Sequence, residues 1–120
     1  MTIENYNNIS VAIIEKETKI ENAANMLDLM ANIIYQHDVV NLGLVIYKES
    51  LSHAFFDLKS GFAGEMLQKF SNYQVKLAIV GDFLEVKSKS LKDFIFECNR
   101  GNQIFFLESI DDARSKYMQI

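Results

Sequence analysis

The side chains best placed for chemistry are few, and they sit where regular elements end or begin. The apolar run Val75-Lys76-Leu77-Ala78-Ile79-Val80 breaks at Gly81-Asp82, and Ser60 and Ser90 stand where helices are expected to start. In open α/β sheets, ligands gather beyond the carboxyl ends of strands, where unpaired helix N–H groups attract negative charge. A hydroxyl or carboxylate at such a place either meets a ligand or caps the helix. Asp57, Ser88 and Ser90 are of capping type, and Glu97 precedes Arg100 by three residues, the spacing of a helical ion pair. Both readings stay open for each.

Other reaction classes find little support. His37 and His53 are the only histidines, and neither lies in an HExxH or GxSxG setting. His53, beside Ser52, reads as a helix-start residue. Cys98 falls on the apolar side of its helix and reads as core, since a buried thiol without a basic neighbour stays protonated. One cysteine permits neither an intrachain disulfide nor a multi-cysteine zinc site. No glycine loop of the P-loop or dinucleotide type is present. No metal and no cofactor are expected, and a non-enzymatic role is favoured.

The elements that must position these residues follow from composition and period. The chain has 120 residues, 49% of them hydrophobic, with no proline and no tryptophan. That length suits one domain over residues 1–120, large enough to bury roughly two thirds of the unfolded surface. Ordinary usage would bring about six prolines, so linkers and low-complexity tails are not expected. The net charge of −4 and pI near 5.1 leave no basic footprint for nucleic acid. No apolar run approaches the roughly 18 residues of a membrane span, and the amino end has no signal-peptide character, so a cytoplasmic protein is expected.

Ile9 to Lys16 is β-branched and reads as a strand, with Lys19-Ile20 as a short returning strand across Glu17-Thr18. Asn22 caps a helix running from Ala23 to about Tyr35, where Met26, Leu27, Met30, Ile33 and Ile34 keep helical spacing. Val39 to Tyr47 is a second main strand. In Leu51 to Tyr73, the positions Phe55, Leu58, Phe62, Met66, Leu67 and Phe70 form a helical stripe interrupted by Gly61 and Gly64. Either a helix starts near Ser60 after a turn, or one long helix packs both glycines closely against a neighbour. Strand 75–80 follows, then a helix capped by Ser90 and stopped at Asn99-Arg100-Gly101. Gln103 to Leu107 is a buried strand, and Ser109, with Asp112 three later, opens a closing helix that carries Ala113 and Tyr117. The fold class is α/β, a mixed and partly parallel sheet flanked by helices in the order β-β-α-β-α-β-α-β-α.

The run from Phe55 to Tyr73, with Leu77-Ala78-Ile79-Val80-Gly81-Asp82-Phe83, Ser88-Lys89-Ser90-Leu91, Phe94-Ile95 and Glu97-Cys98-Asn99-Arg100-Gly101, resembles a bacterial family catalogued as domain of unknown function 4180. The polar residues within those blocks form a candidate functional cluster: Asp57, Ser60, Glu65, Asn72, Asp82, Glu97, Asn99 and Arg100. More distantly, the element order is similar to the STAS domain of sulphate-transporter tails and anti-sigma-factor antagonists. Ser60-Gly61, followed by an apolar and a small residue, resembles the step that opens that domain's second helix, where antagonists are phosphorylated. That family usually has an aspartate and two serines before the glycine, where this chain has Asp57-Leu58-Lys59-Ser60.

The resemblance implies a regulatory or protein-interaction module with Ser60 as its phosphorylation site. The alternative is a binding protein for a small molecule or anion, or a minor enzyme, using the polar cluster at the strand carboxyl ends. A homodimer through an exposed phenylalanine patch, drawn from the nine phenylalanines, is a third expectation.

Overall fold

The computed structural model describes residues Met1–Ile120. Five strands form one sheet: β1 (Thr2–Tyr6), β2 (Ile9–Ile13), β3 (Leu42–Tyr47), β4 (Lys76–Val80) and β5 (Ile104–Leu107). Their spatial order is the chain order, β1-β2-β3-β4-β5. β1 and β2 are antiparallel, and β2 through β5 are parallel. The helices are α1 (Ala23–His37), α2 (His53–Phe56), α3 (Phe62–Tyr73), α4 (Lys89–Arg100) and α5 (Ile110–Met118).

Parallel neighbours need crossovers, and crossovers of one hand that never reverse direction stack their helices on one face of the sheet. Accordingly α1, α3 and α4 share a face, over a core of 22 buried residues including Met26, Leu44, Phe55, Met66, Phe70 and Ile79. The opposite face has α5 alone and a core of six: Val11, Val45, Ala78, Val80, Ala113 and Tyr117. α5 has little apolar surface, so one contact dominates its attachment. The Tyr117 ring is fully buried, and its hydroxyl donates to the Leu44 carbonyl at 2.7 Å. The ring lies where a side chain on Gly43 would be: a Cβ there would stand 2.5 Å from a ring carbon. Only glycine at 43 lets the helix lie this close.

A second bond fastens α5 to the first strand. Arg114 donates to both Glu4 carboxylate oxygens, at 3.0 and 2.9 Å, and the Tyr6 hydroxyl donates to the same carboxylate. The Arg114 hydrogen bond, followed by that of Tyr6, holds the Glu4 carboxyl below its ordinary range.

The structure moves two expected boundaries. The hairpin is β1 against β2 across Asn7-Asn8, not β2 against Lys19-Ile20; Ile20 makes only an isolated bridge to Leu51. The open choice at Leu51–Tyr73 is decided for a turn plus a helix: α2 is one turn, a 3-10 turn covers Leu58–Ser60, and α3 begins after Gly61 at φ 82°, a conformation that breaks any continuous helix. The third long helix is capped by Ser88, which accepts from the Leu91 N–H at 3.2 Å, while Ser90 lies inside its first turn.

Gly43→Ala is expected to lower stability by about 1–3 kcal/mol by forcing Tyr117 outward; a urea midpoint equal to wild type would show that α5 does not need this contact. Because the Glu4 carboxyl is depressed in the folded state, its contribution is present above the unfolded value near 4.5 and is lost as pH falls through the folded one. Glu4→Gln should flatten the acid limb of the stability profile below about pH 5 relative to wild type, as read by thermal midpoints across pH.

Candidate functional site

The carboxyl edge of the sheet, where ligands were expected, is filled between the ends of β3 and β4. A crevice there arises where strand order reverses, and this order does not reverse. Lys48, just past β3, fills the space between neighbouring strand ends. Its stem lies on Gly81, where an added Cβ would come 2.6 Å from the Lys48 Cβ, and its ammonium donates to the Asp82 carbonyl at 2.6 Å over the Phe83 ring. Two shallow hollows remain at the strand ends: one of about 350 Å³ past β2 and β3, whose lining includes Glu15, Lys16, Glu17 and Tyr47, and one of about 280 Å³ lined by Gly81, Asp82, Leu84 and Glu108.

The candidate cluster divides between the two ends of the sheet. Asp57, Ser60, Glu65 and Asp82 lie toward the carboxyl edge, where the helices of a parallel sheet begin. Asn72, Glu97, Asn99 and Arg100 occupy the late turns of α3 and α4, which return the chain to the amino edge. They do not surround one cavity, and most have local partners. The Asp57 carboxylate accepts from the Lys59 N–H at 3.2 Å and caps the 3-10 turn. Asp82 accepts from the Leu84 N–H at 2.9 Å, closing the turn after β4. Glu97 and Arg100 form an exposed pair at 3.9 Å, worth little. Glu65 and Asn72 are exposed on α3.

Asn99 has a more specific task. β5 is a sheet edge, and the Phe106 backbone faces away from β4. The Asn99 amide accepts from the Phe106 N–H at 2.7 Å and donates to the Phe106 carbonyl at 3.2 Å, as a further strand would. Cys98 beside it is buried; desolvation, with a smaller push from Glu97, raises its thiol to about 11, so it stays protonated. No three His, Cys, Asp or Glu side chains come together as a metal would require. Of the phenylalanines only Phe96 is well exposed, under the Arg100 guanidinium, so the expected phenylalanine patch reduces to one ring.

Ser60 occupies the corner between α2 and α3. Its hydroxyl donates to the Ala54 carbonyl in α2 and accepts from the Phe62 N–H at 3.2 Å, the first amide of α3. The residue is exposed, so one side chain ties two helices together at a position that solvent reaches.

The amino edge holds what charge and strand-end reasoning missed. α5 descends from the carboxyl edge and stops short, leaving the foot of its face uncovered. Tyr6, Ile9, Lys76 and Gln103 stand there on one face of the sheet, and with Asn7, Asn8, Asn41, Gln74 and Ile120 they line a hollow of about 370 Å³. Lys76 is half-buried and donates to the Asn102 carbonyl at 2.5 Å; burial alone pushes its ammonium below the ordinary lysine value. The Gln103 amide nitrogen reaches the Asn102 side chain at 3.3 Å, while its carbonyl oxygen is buried without a partner. A signal was present: each parallel strand has an amide residue one or two positions before it, Asn8, Asn41, Gln74 and Gln103.

The family described as Domain of unknown function (DUF4180) matches residues 6–117, nearly the whole chain, and the chain belongs to that family. No curated protein and no solved structure matches it significantly. No helix is long and apolar enough to cross a membrane.

If Asn99 covers the sheet edge, Asn99→Ala should cost about 1–2 kcal/mol and speed amide exchange at Phe106 before that of β3 or β4. An unchanged urea midpoint with unchanged Phe106 exchange would return Asn99 to the list of residues without a structural task.

Proposed function

We propose that this chain is a cytoplasmic, non-enzymatic regulatory module of STAS-like architecture that acts through protein contacts and is switched by phosphorylation of Ser60. The observation that carries the reading is the position of Ser60: exposed, one residue before the left-handed Gly61, with its hydroxyl shared between α2 and α3. A phosphoryl group there removes the hydroxyl proton, so the bond to the Ala54 carbonyl is lost. It also places about −1.5 to −2 charges at the start of the 12-residue α3, where unpaired N–H groups stabilise an anion. α3 gains a cap while α2 loses its tether. A local charge change thereby becomes a movement of α2 and of the Leu51–Asp57 segment across the adjoining surface. The element order supports the same reading, as does the spread of the polar candidates over two ends of the sheet, which suits surface recognition better than a shared catalytic pocket.

The test is made in the native host with tagged wild type, Ser60→Ala and Ser60→Asp. Tandem mass spectrometry is expected to find a phosphoryl group on Ser60 in the wild type. Cross-linked partners are expected to change between Ser60→Asp and Ser60→Ala, a second copy of the chain being scored by light scattering. In the purified proteins, Ser60→Asp should raise exchange in Leu51–Asp57 and leave β3 and β4 unaltered. A wild type never phosphorylated at Ser60, with the same partners for both variants, sinks the reading.

A further inference from the structure

The geometry points to β1 as a pairing edge for a second copy of this chain, the two strands running antiparallel about a two-fold axis so that two sheets become one. Which backbone groups face outward follows from the ladder on the inner side. The Ser10 N–H donates to the Asn41 carbonyl at 2.8 Å and the Ile14 N–H to the Val45 carbonyl at 3.0 Å, so the even-numbered residues along β2 turn toward β3. Ile9, Val11 and Ile13 therefore turn toward β1 and bond Tyr6, Glu4 and Thr2, their partners in register. Ile3 and Asn5 are left with N–H and C=O groups directed away from the sheet, and none of these groups has a partner within the chain.

Open strand edges are usually guarded, and β1 has none of the common guards. It contains no lysine, no proline and no bulge, since its residues pair one to one with β2. The other edge of the sheet is closed. Along β5 the Gln103 carbonyl accepts from the Leu77 N–H and the Leu107 carbonyl from the Gly81 N–H, so the backbones of Ile104 and Phe106 face outward. Asn99 holds that of Phe106, and Ile104 is fully buried. A chain with one open edge forms a closed pair, and an antiparallel strand is its own complement under a two-fold axis, so the occupant is a second copy. In the register that overlaps β1 completely, Ile3 of each copy opposes Asn5 of the other and exchanges both ladder hydrogen bonds with it, while the two Glu4 carboxylates meet at the axis. Like charges directly opposite would drive the strands apart. Each carboxylate, however, is already bonded to Arg114 through both oxygens and accepts from the Tyr6 hydroxyl. The clamp that docks α5 thus also neutralises the middle of the edge.

The experiment follows the full chain by sedimentation velocity between about 5 and 500 µM, because an edge this short implies a dimer of micromolar affinity. A monomer–dimer equilibrium is expected. Amide exchange at Ile3 and Asn5 should slow at least about threefold from the dilute to the concentrated end, while that of Leu44 and Leu77 stays the same. Asn5→Pro removes an outward N–H without touching the inner ladder and should abolish the dimer. Arg114→Gln uncovers two opposed carboxylates and should weaken the dimer about fivefold, and adding Glu4→Gln should restore it. A monomer at every concentration overturns the proposal and leaves the edge to a strand from another protein. So does a dimer that survives in folded Asn5→Pro. So does a wild-type dimer in which exchange at Ile3 and Asn5 does not change with concentration, since the contact then lies elsewhere on the molecule, and that comparison needs no variant to fold.

Discussion

Three crossovers of one hand, made in succession with no reversal, govern the rest of this molecule. They line up β2 to β5 in chain order and commit α1, α3 and α4 to one face. That face buries most of the apolar side chains. The other face is left to a nine-residue helix with two buried residues, Ala113 and Tyr117. Such a helix is too polar to be held by area alone, so its attachment is concentrated in a phenol packed on a glycine and a guanidinium bonded to a carboxylate. The same order removes the reversal at which α/β sheets usually open a ligand crevice. Lys48 and Gly81 fill the carboxyl edge between β3 and β4, and a further hollow lies at the other end of the sheet, where α5 runs out.

Much of the fold was legible because burial writes a period into the sequence. α1 shows its stripe at Met26, Met30 and Ile33, and β4 beyond Lys76 and β5 are continuous apolar runs, as strands covered on both faces must be. β1 was not legible for the opposite reason. As an edge strand, Thr2–Tyr6 has polar residues on the lightly covered face and little burial on the other, so neither composition nor period separates it from a loop. Lys19-Ile20 was read as its counterpart, yet Ile20 is buried by packing into the large core and its backbone makes only one bridge, to Leu51. In Leu51–Tyr73 the apolar stripe is real and misleads, since Phe55 and Phe62 reach the same core from two helices separated by a turn. Their rings meet edge to face with centroids 5.2 Å apart. Gly61 at positive φ decides the matter, and φ is not written in the sequence.

The candidate site was less legible, because residue type alone does not distinguish a cap from a ligand. Asp57, Ser88 and Asp82 hold backbone N–H groups, which is the commoner use of such residues at element ends. Asn99, one of the eight candidates, has the Phe106 backbone as its partner, 7 residues away in sequence and across the sheet edge. The amides at the foot of the sheet escaped for a different reason: each reads as ordinary turn chemistry in its own loop. Only the parallel pairing, which brings the starts of β2 to β5 to one edge, makes a set of them.

Tyr6 joins the two features that hold this lightly covered face together. Its hydroxyl supports the Glu4 carboxylate that Arg114 grips, and its ring lines the hollow at the amino edge. The clamp between α5 and β1 therefore shares a side chain with the wall of the cavity. The Glu4 bond, with a smaller push from burial, raises the Tyr6 hydroxyl above its ordinary range, so the phenol remains a donor to Glu4 at neutral pH. A molecule seated against that ring can shift Tyr6 only by disturbing the bond that anchors α5. Conversely, loosening α5 releases the wall, because Ile120 beyond its last turn lines the same hollow. The wall of the hollow and the docking of the last helix are thus linked through Tyr6 and Ile120. Ser60 lies at the opposite end of the sheet and on the other face, away from this clamp.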